Sequence, residues 1–207
     1  VSKLKIAVLA SGSGSNLQAL IDAADGGSMN GKIELVITDR LGAYALQRAE
    51  KHGIAATCID RKSYMNKADF DLQLINNLSE VHPDLIILAG YLSILSSGLT
   101  HKYQGRIINI HPSLLPAFGG KGFYGERVHK AVIESGAKIS GATVHFVDEN
   151  TDTGPIILQE VVAVLEDDTP ETLAKRILAV EHRLIVKAAA LFCDNRLKFE
   201  DGSVRIQ

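Results

Sequence analysis

Residues 4–20 read LKIAVLASGSGSNLQAL, and this stretch decides the fold. Its first half is an almost unbroken apolar run, too short to cross a membrane. It ends in a turn built from glycine and serine, and the residues from Asn16 onward then take up helical spacing. A strand that passes through such a turn straight into a helix is how a βαβ unit opens. The same alternation continues outward. Apolar runs at residues 33–38, 55–59 and 84–88 alternate with helix-like stretches at 16–24, 43–52 and 67–81. Strands that are apolar along their whole length suit a parallel sheet covered by helices on both faces.

Beyond residue 105 the pattern changes. Residues 106–110 read as one more buried strand, followed by a glycine-rich tract from Pro116 to Gly125. Residues 143–147 and 156–164 are β-rich, and only DENTDTGP separates them. A link that short fits an antiparallel hairpin and is too short for a crossover. A helix from Pro170 to about Asp194 closes the pattern, with Thr169 as N-cap and Pro170 in the first turn. The expected architecture is α/β and Rossmann-like: a mostly parallel sheet, an antiparallel C-terminal part, and helices on both faces.

The chain has 207 residues, the size of one domain, so residues 1–207 are expected to form a single unit. Apolar residues make up 46% and charged residues 22%, which argues against disorder and fibrous architectures. Lys and Arg total 22 against 24 Asp and Glu, a formal net charge of -2. That balance excludes a broad electrostatic surface for nucleic acid or an anionic membrane, so any bound anion must be gripped locally. Cys58 and Cys193 stand far apart with no CxxC, which argues against a disulfide framework or structural zinc and for a reducing cytoplasm. No apolar helical stripe is left over to specify an oligomer, although a homodimer is compatible with the pattern.

Three stretches can carry chemistry. In the first, Gly12, Gly14 and the hydroxyls of Ser11, Ser13 and Ser15 lead into the helix that begins near Asn16. Amides at a helix N-terminus, approached closely because glycine has no side chain, suit a phosphate. The loop is no Walker A motif, and Leu17 stands where a dinucleotide fingerprint would place its third glycine. A single phosphate is therefore favoured over a pyrophosphate. Asp39, ending the second strand, leaves only a weak case for a nicotinamide cofactor.

The second is INIHPSLLPAF, residues 108–118, whose strand stops at His111 before Pro112. Ligands of open α/β sheets bind at the carboxyl ends of strands. Asn109 and His111, two apart, share a face there. An amide donor beside an imidazole suits a reaction that develops charge on a carbonyl oxygen. Taken alone, a histidine ending a strand is more often structural. The third is DENTDTGP, where Asp148, Glu149 and Asp152 would most often be a solvated turn. A carboxylate brought from it against His111 would raise that imidazole's pKa, and spacing does not say which one. The histidines show no HxxxH or HExxH pattern, so no metal site is expected.

Read together, VLASGSGSNLQALID, LAGYLSILS, RIINIHPSLLPAF, GKGFYGERVHKAV and GATVHFVDENTDTGPIILQ resemble, in that order, the phosphoribosylglycinamide formyltransferases. The resemblance covers residues 4–199. It implies transfer of a formyl group from 10-formyltetrahydrofolate to glycinamide ribonucleotide in purine synthesis, without metal or NAD. By it, Asn109, His111 and Asp152 form the catalytic trio, with Asn109 holding the oxyanion, His111 moving a proton and Asp152 raising its pKa. Gly14, Ser15, Asn16 and Glu181 match the ribonucleotide site. Leu92, Ser93, Ile94 and Leu95, with Asn109 and with Asp148, Glu149, Asn150, Thr151 and Asp152, match the folate site, and Lys67 matches a basic position that meets the folate tail.

Two positions depart from the family's pattern. Ser93 stands where many relatives have Arg, which alters one folate contact. Gly119 stands where Pro is usual, which should loosen its loop. The nearest rival in chemistry is formyltetrahydrofolate deformylase, which shares the trio and uses water as acceptor. That family carries an extra N-terminal domain, and methionyl-tRNA formyltransferase a C-terminal one, and neither is expected within these 207 residues. A nicotinamide dehydrogenase and a non-catalytic nucleotide-binding module are the readings from other classes.

Overall fold

The first strand sits inside the sheet, paired on both edges. In the computed structural model, which describes residues 3–200 and 202–207, β1 (Leu4–Ala10) pairs in parallel with β2 (Gly31–Thr38) on one side and β4 (Leu85–Leu88) on the other. Its alternate side chains serve two cores. Ile6, Val8 and Ala10 face one layer, and Ala7 and Leu9 the other. Burial on both faces is why this strand reads as a continuous apolar run.

The sheet has seven strands in the order β3-β2-β1-β4-β5-β6-β7, with β3 (Ala55–Cys58), β5 (Ile107–His111), β6 (Ile139–Phe146) and β7 (Ile156–Ala163). Pairing is parallel from β3 to β5 and antiparallel from β5 through β6 to β7. The expected mixed sheet is therefore present, and β6 begins four residues before the expected 143. Gly141 explains how that early part pairs: a Cβ there would lie 2.0 Å from the Glu160 carbonyl oxygen, so only glycine allows the approach.

Helices cover both faces. α1 (Ser15–Asp25), α2 (Tyr44–Lys51), α5 (Glu126–Glu134) and α6 (Pro170–Cys193) pack on the first layer. α3 (Lys67–Val81) and α4 (Ser97–Lys102) pack on the second, through Phe70, Leu74, Leu78 and Leu99. Thr169 caps α6 through the Thr172 amide, as its place before Pro170 foretold. The helices α4 and α5, and a two-stranded hairpin of β8 (Leu197–Glu200) and β9 (Ser203–Ile206), are additions to the expected pattern. Among the described residues no helix is long and apolar enough to cross a membrane, and both cysteines are free.

Candidate active site

The end of β5 meets β6 in a register that pairs Asn109 with His145 and His111 with Thr143. Side chains two apart on a strand share a face, so Asn109 and His111 stand together. The cross-strand pairing adds His145, whose Nε2 lies 3.1 Å from the Asn109 amide nitrogen. His145 carried no role in the sequence reading, because the register of β5 against β6 is a long-range fact. Its place inside the β-rich run of residues 143–147 was its only signal.

The turn between β6 and β7 brings Asp152 onto this cluster. Asp148 closes the tip by accepting hydrogen bonds from the Asn150 amide and the Thr153 hydroxyl. Gly154 lets the chain pass under Phe146, since a Cβ there would fall 1.8 Å from the Phe146 carbonyl oxygen. Asp152 itself adopts φ +59°, a left-handed conformation that short polar side chains tolerate best. Its carboxylate accepts from the Gly120 amide at 2.9 Å and from the Asn109 amide at 3.4 Å. His111 Nδ1 lies 3.5 Å from its Oδ2, and His145 Nε2 lies 3.6 Å from its Oδ1.

Burial dominates the electrostatics of His111, which is 4% exposed. Desolvation pushes the imidazole below its ordinary pKa, and outweighs the upward pull of the Asp152 charge and the Phe118 carbonyl. Asp152 does pull this pKa upward, as expected of a carboxylate there, and burial outweighs the pull. Burial would also raise the Asp152 carboxyl, yet the His145 contact, the His111 charge and the Gly120 amide together hold it below the usual range.

A cavity of about 390 Å³ opens on this cluster. Leu92, Ser93, Ile94 and Leu95 line one side, and Asp148, Glu149, Asn150, Thr151 and Asp152 another. The loop of residues 90–95 is anchored from below: the Ser11 hydroxyl accepts from the Leu92 amide at 2.8 Å, and Ser93 donates to buried Asp39 at 2.6 Å. Ser93 is therefore half-buried at the cavity wall, tied to Asp39 beneath it. At Gly119 a Cβ would fall 2.3 Å from Leu115 Cδ2, so a side chain there would require the end of Leu115 to shift. Lys67 is not brought to this cavity; it opens α3 and holds Asp71 at 3.2 Å.

A second cavity, about 530 Å³, lies across a shared wall formed by Gly90, Leu92, Ile110, Pro112 and Gly125. Gly14, Ser15 and Asn16 line it, as does Glu181 of α6. Gly14 has φ +69° and offers no side-chain cap to α1, which leaves the first-turn amides free to meet an anion. Asn16 donates to Glu181 at 2.8 Å, and burial raises the Glu181 carboxyl against that bond. His129 of α5 also faces this cavity, buried, with Nδ1 unpartnered. A larger groove of about 910 Å³ lies at the beginnings of β1, β4 and β5, beside Leu4, Asp84 and Arg106. It contains none of the converging Asn109, His111 and His145 groups, so the chemistry belongs to the two smaller cavities. Among the described residues no three His, Cys, Asp or Glu side chains are grouped to hold a metal ion.

The sequence model described as formyl transferase matches residues 4–189. The chain belongs to the formyl transferase family. Within that family it groups with the phosphoribosylglycinamide formyltransferases. The chloroplastic phosphoribosylglycinamide formyltransferase of Arabidopsis thaliana is 43% identical over 205 residues, spanning 98% of this chain and 70% of the relative. The crystal structure of glycinamide ribonucleotide transformylase 1 from Symbiobacterium toebii superposes with a TM-score of 0.93 at 44% identity, covering 99% of this formyl transferase and 94% of that chain. A formyltetrahydrofolate deformylase from Pseudomonas syringae pv. tomato shares the fold at TM-score 0.89 but only 26% identity, covering 99% of this chain and 66% of its own.

Proposed function

We propose that a single catalytic domain spanning residues 1–207 transfers the formyl group of 10-formyltetrahydrofolate to the amino group of glycinamide ribonucleotide. The observation that carries this reading is the shared wall. A cavity with an uncapped helix N-terminus meets a cavity with an amide, an imidazole and a carboxylate, and the wall between them is formed by only five residues. Two small substrates placed in them would bring their reacting ends together beside Pro112 and His111.

In this reaction the substrate amine attacks the formyl carbon and the bond to the folate nitrogen breaks. The amine loses one proton and the folate nitrogen gains one. Asn109 would donate to the oxyanion of the tetrahedral intermediate, giving up its long 3.4 Å contact with Asp152. His111 would carry the proton, with Asp152 orienting the ring and stabilising its charged form. Residues 92–95 and 148–152 would flank the flat pterin, which suits an apolar slot edged by polar groups. Lys67 would meet the folate tail outside the cavity. Two free cysteines accord with a reducing compartment, the cytoplasm in this reading.

The decisive measurement is tetrahydrofolate release with and without the ribonucleotide. Release that depends on the ribonucleotide is expected. Equal release in both cases would make the protein a deformylase, the second reading that the shared fold and trio allow.

A further inference from the structure

The loop of residues 12–16 is braced from behind by α2. Arg48 donates from Nε to the Ser13 carbonyl at 2.8 Å and from Nη1 to Gln18 at 3.0 Å. The Ala45 amide donates to the Gly12 carbonyl at 3.2 Å. In a trans peptide the carbonyl and the following N–H point in opposite directions. Fixing the Gly12 and Ser13 carbonyls toward α2 therefore aims the Ser13 and Gly14 amides away from it, on the side where the loop lines the ribonucleotide cavity. The fit is close as well as polar: a Cβ at Gly14 would lie 2.9 Å from Ala45 and 3.3 Å from Arg48 Cδ.

The guanidinium also brings charge. It stacks 4.9 Å from the Tyr44 ring centroid. Among the described residues no carboxylate lies within 4.0 Å of it. Its field reaches α6, where the imidazole of His182, beside Glu181, is held below its ordinary pKa by burial first and by Arg48 second. The lining of the cavity otherwise offers one lysine, Lys175, against the acids Glu126, Glu171 and Glu181. A dianionic phosphate there needs a further positive source.

We propose that Arg48 is a positioning residue of the phosphate site, aiming the Gly14 amide into the cavity and supplying positive charge from behind the loop. The proposal rests on the reading of residues 12–16 as the cradle of a phosphomonoester. Inorganic phosphate, as an inhibitor competing with the ribonucleotide, tests both layers separately. Arg48→Gln should raise the KM for the ribonucleotide and the inhibition constant of phosphate by roughly ten- to hundredfold. The KM for the folate donor should move far less, and Arg48→Lys, which keeps the charge, should recover part of the loss. A wild-type enzyme that phosphate does not inhibit competitively would overturn the cradle reading and this proposal with it. Competitive inhibition of the wild type with an unchanged constant in Arg48→Gln would overturn the role of Arg48 alone. So would a parallel rise in both KM values with a lowered Tm, the mark of a merely structural side chain.

Discussion

His111 presents Nδ1 to the Asp152 carboxylate at 3.5 Å while its Nε2 meets the Phe118 carbonyl at 2.9 Å. A carbonyl only accepts, so Nε2 carries a hydrogen, and Nδ1 faces the acid with a lone pair in the neutral ring and a proton in the charged one. Burial and the carboxylate therefore pull this imidazole in opposite directions. Asp152→Asn removes the upward pull and leaves burial. The His111 pKa should fall further below its ordinary value, read by NMR titration of the imidazole, and activity should drop by about 100- to 10,000-fold. An unchanged titration curve with high activity would break the proposed pairing.

Asn109→Ala removes the donor closest to the place where the oxyanion would form. The loss should be about 100- to 1,000-fold in kcat. Steady-state kinetics on both substrates checks it, and a rise confined to the KM for folate would reassign Asn109 to binding alone.

Gly154→Ala should cost about 2–4 kcal/mol, because a Cβ 1.8 Å from the Phe146 carbonyl oxygen forces the β6–β7 turn to open. The same shift would carry Asp152 away from His111. Urea denaturation and activity should fall together, and a stable, active variant would contradict the packing described for this turn.

Stability should decline as pH falls below about 6.5, the ordinary pKa of histidine. His111, His129 and His182 are each held below that value, chiefly by burial, so the unfolded chain binds more protons in this window and folding weakens with acid. Glu181, whose carboxyl is raised, works with the opposite sign above its ordinary value. Removing one of the three isolates the effect: His129→Leu should flatten the slope of unfolding free energy between pH 7 and pH 5, measured by urea titration.

The first half of the chain was legible because its strands are buried on both faces and its helices are long enough to show a period. Helix α3 falls on residues 67–81 as the spacing predicts, and β1 to β5 lie within two residues of their expected ends. Helix α5 was hidden behind the glycines of residues 119–125, and α4 is only six residues long. The strands β8 and β9 have four residues each and are mostly half-buried or exposed, too short to display an alternation. At the site, Asn109 and His111 were visible as a pair along one strand. His145, the Gly120 amide and Arg48 were not, since each joins through a contact 32 to 36 residues away in sequence.

The place of β1 inside the sheet, between β2 and β4, bears on how the protein folds. It precedes the other strands of the sheet in sequence, yet its partner β4 begins at residue 85, and the turn that carries Asp152 follows β6, which ends at residue 146. Pairings that span such separations form late, because the loop they close must be ordered first. Helical content can therefore return early in refolding while His111 still lacks its acid. In refolding, enzymatic activity is therefore expected to return after helical content, once β6 and the turn that carries Asp152 have joined the sheet.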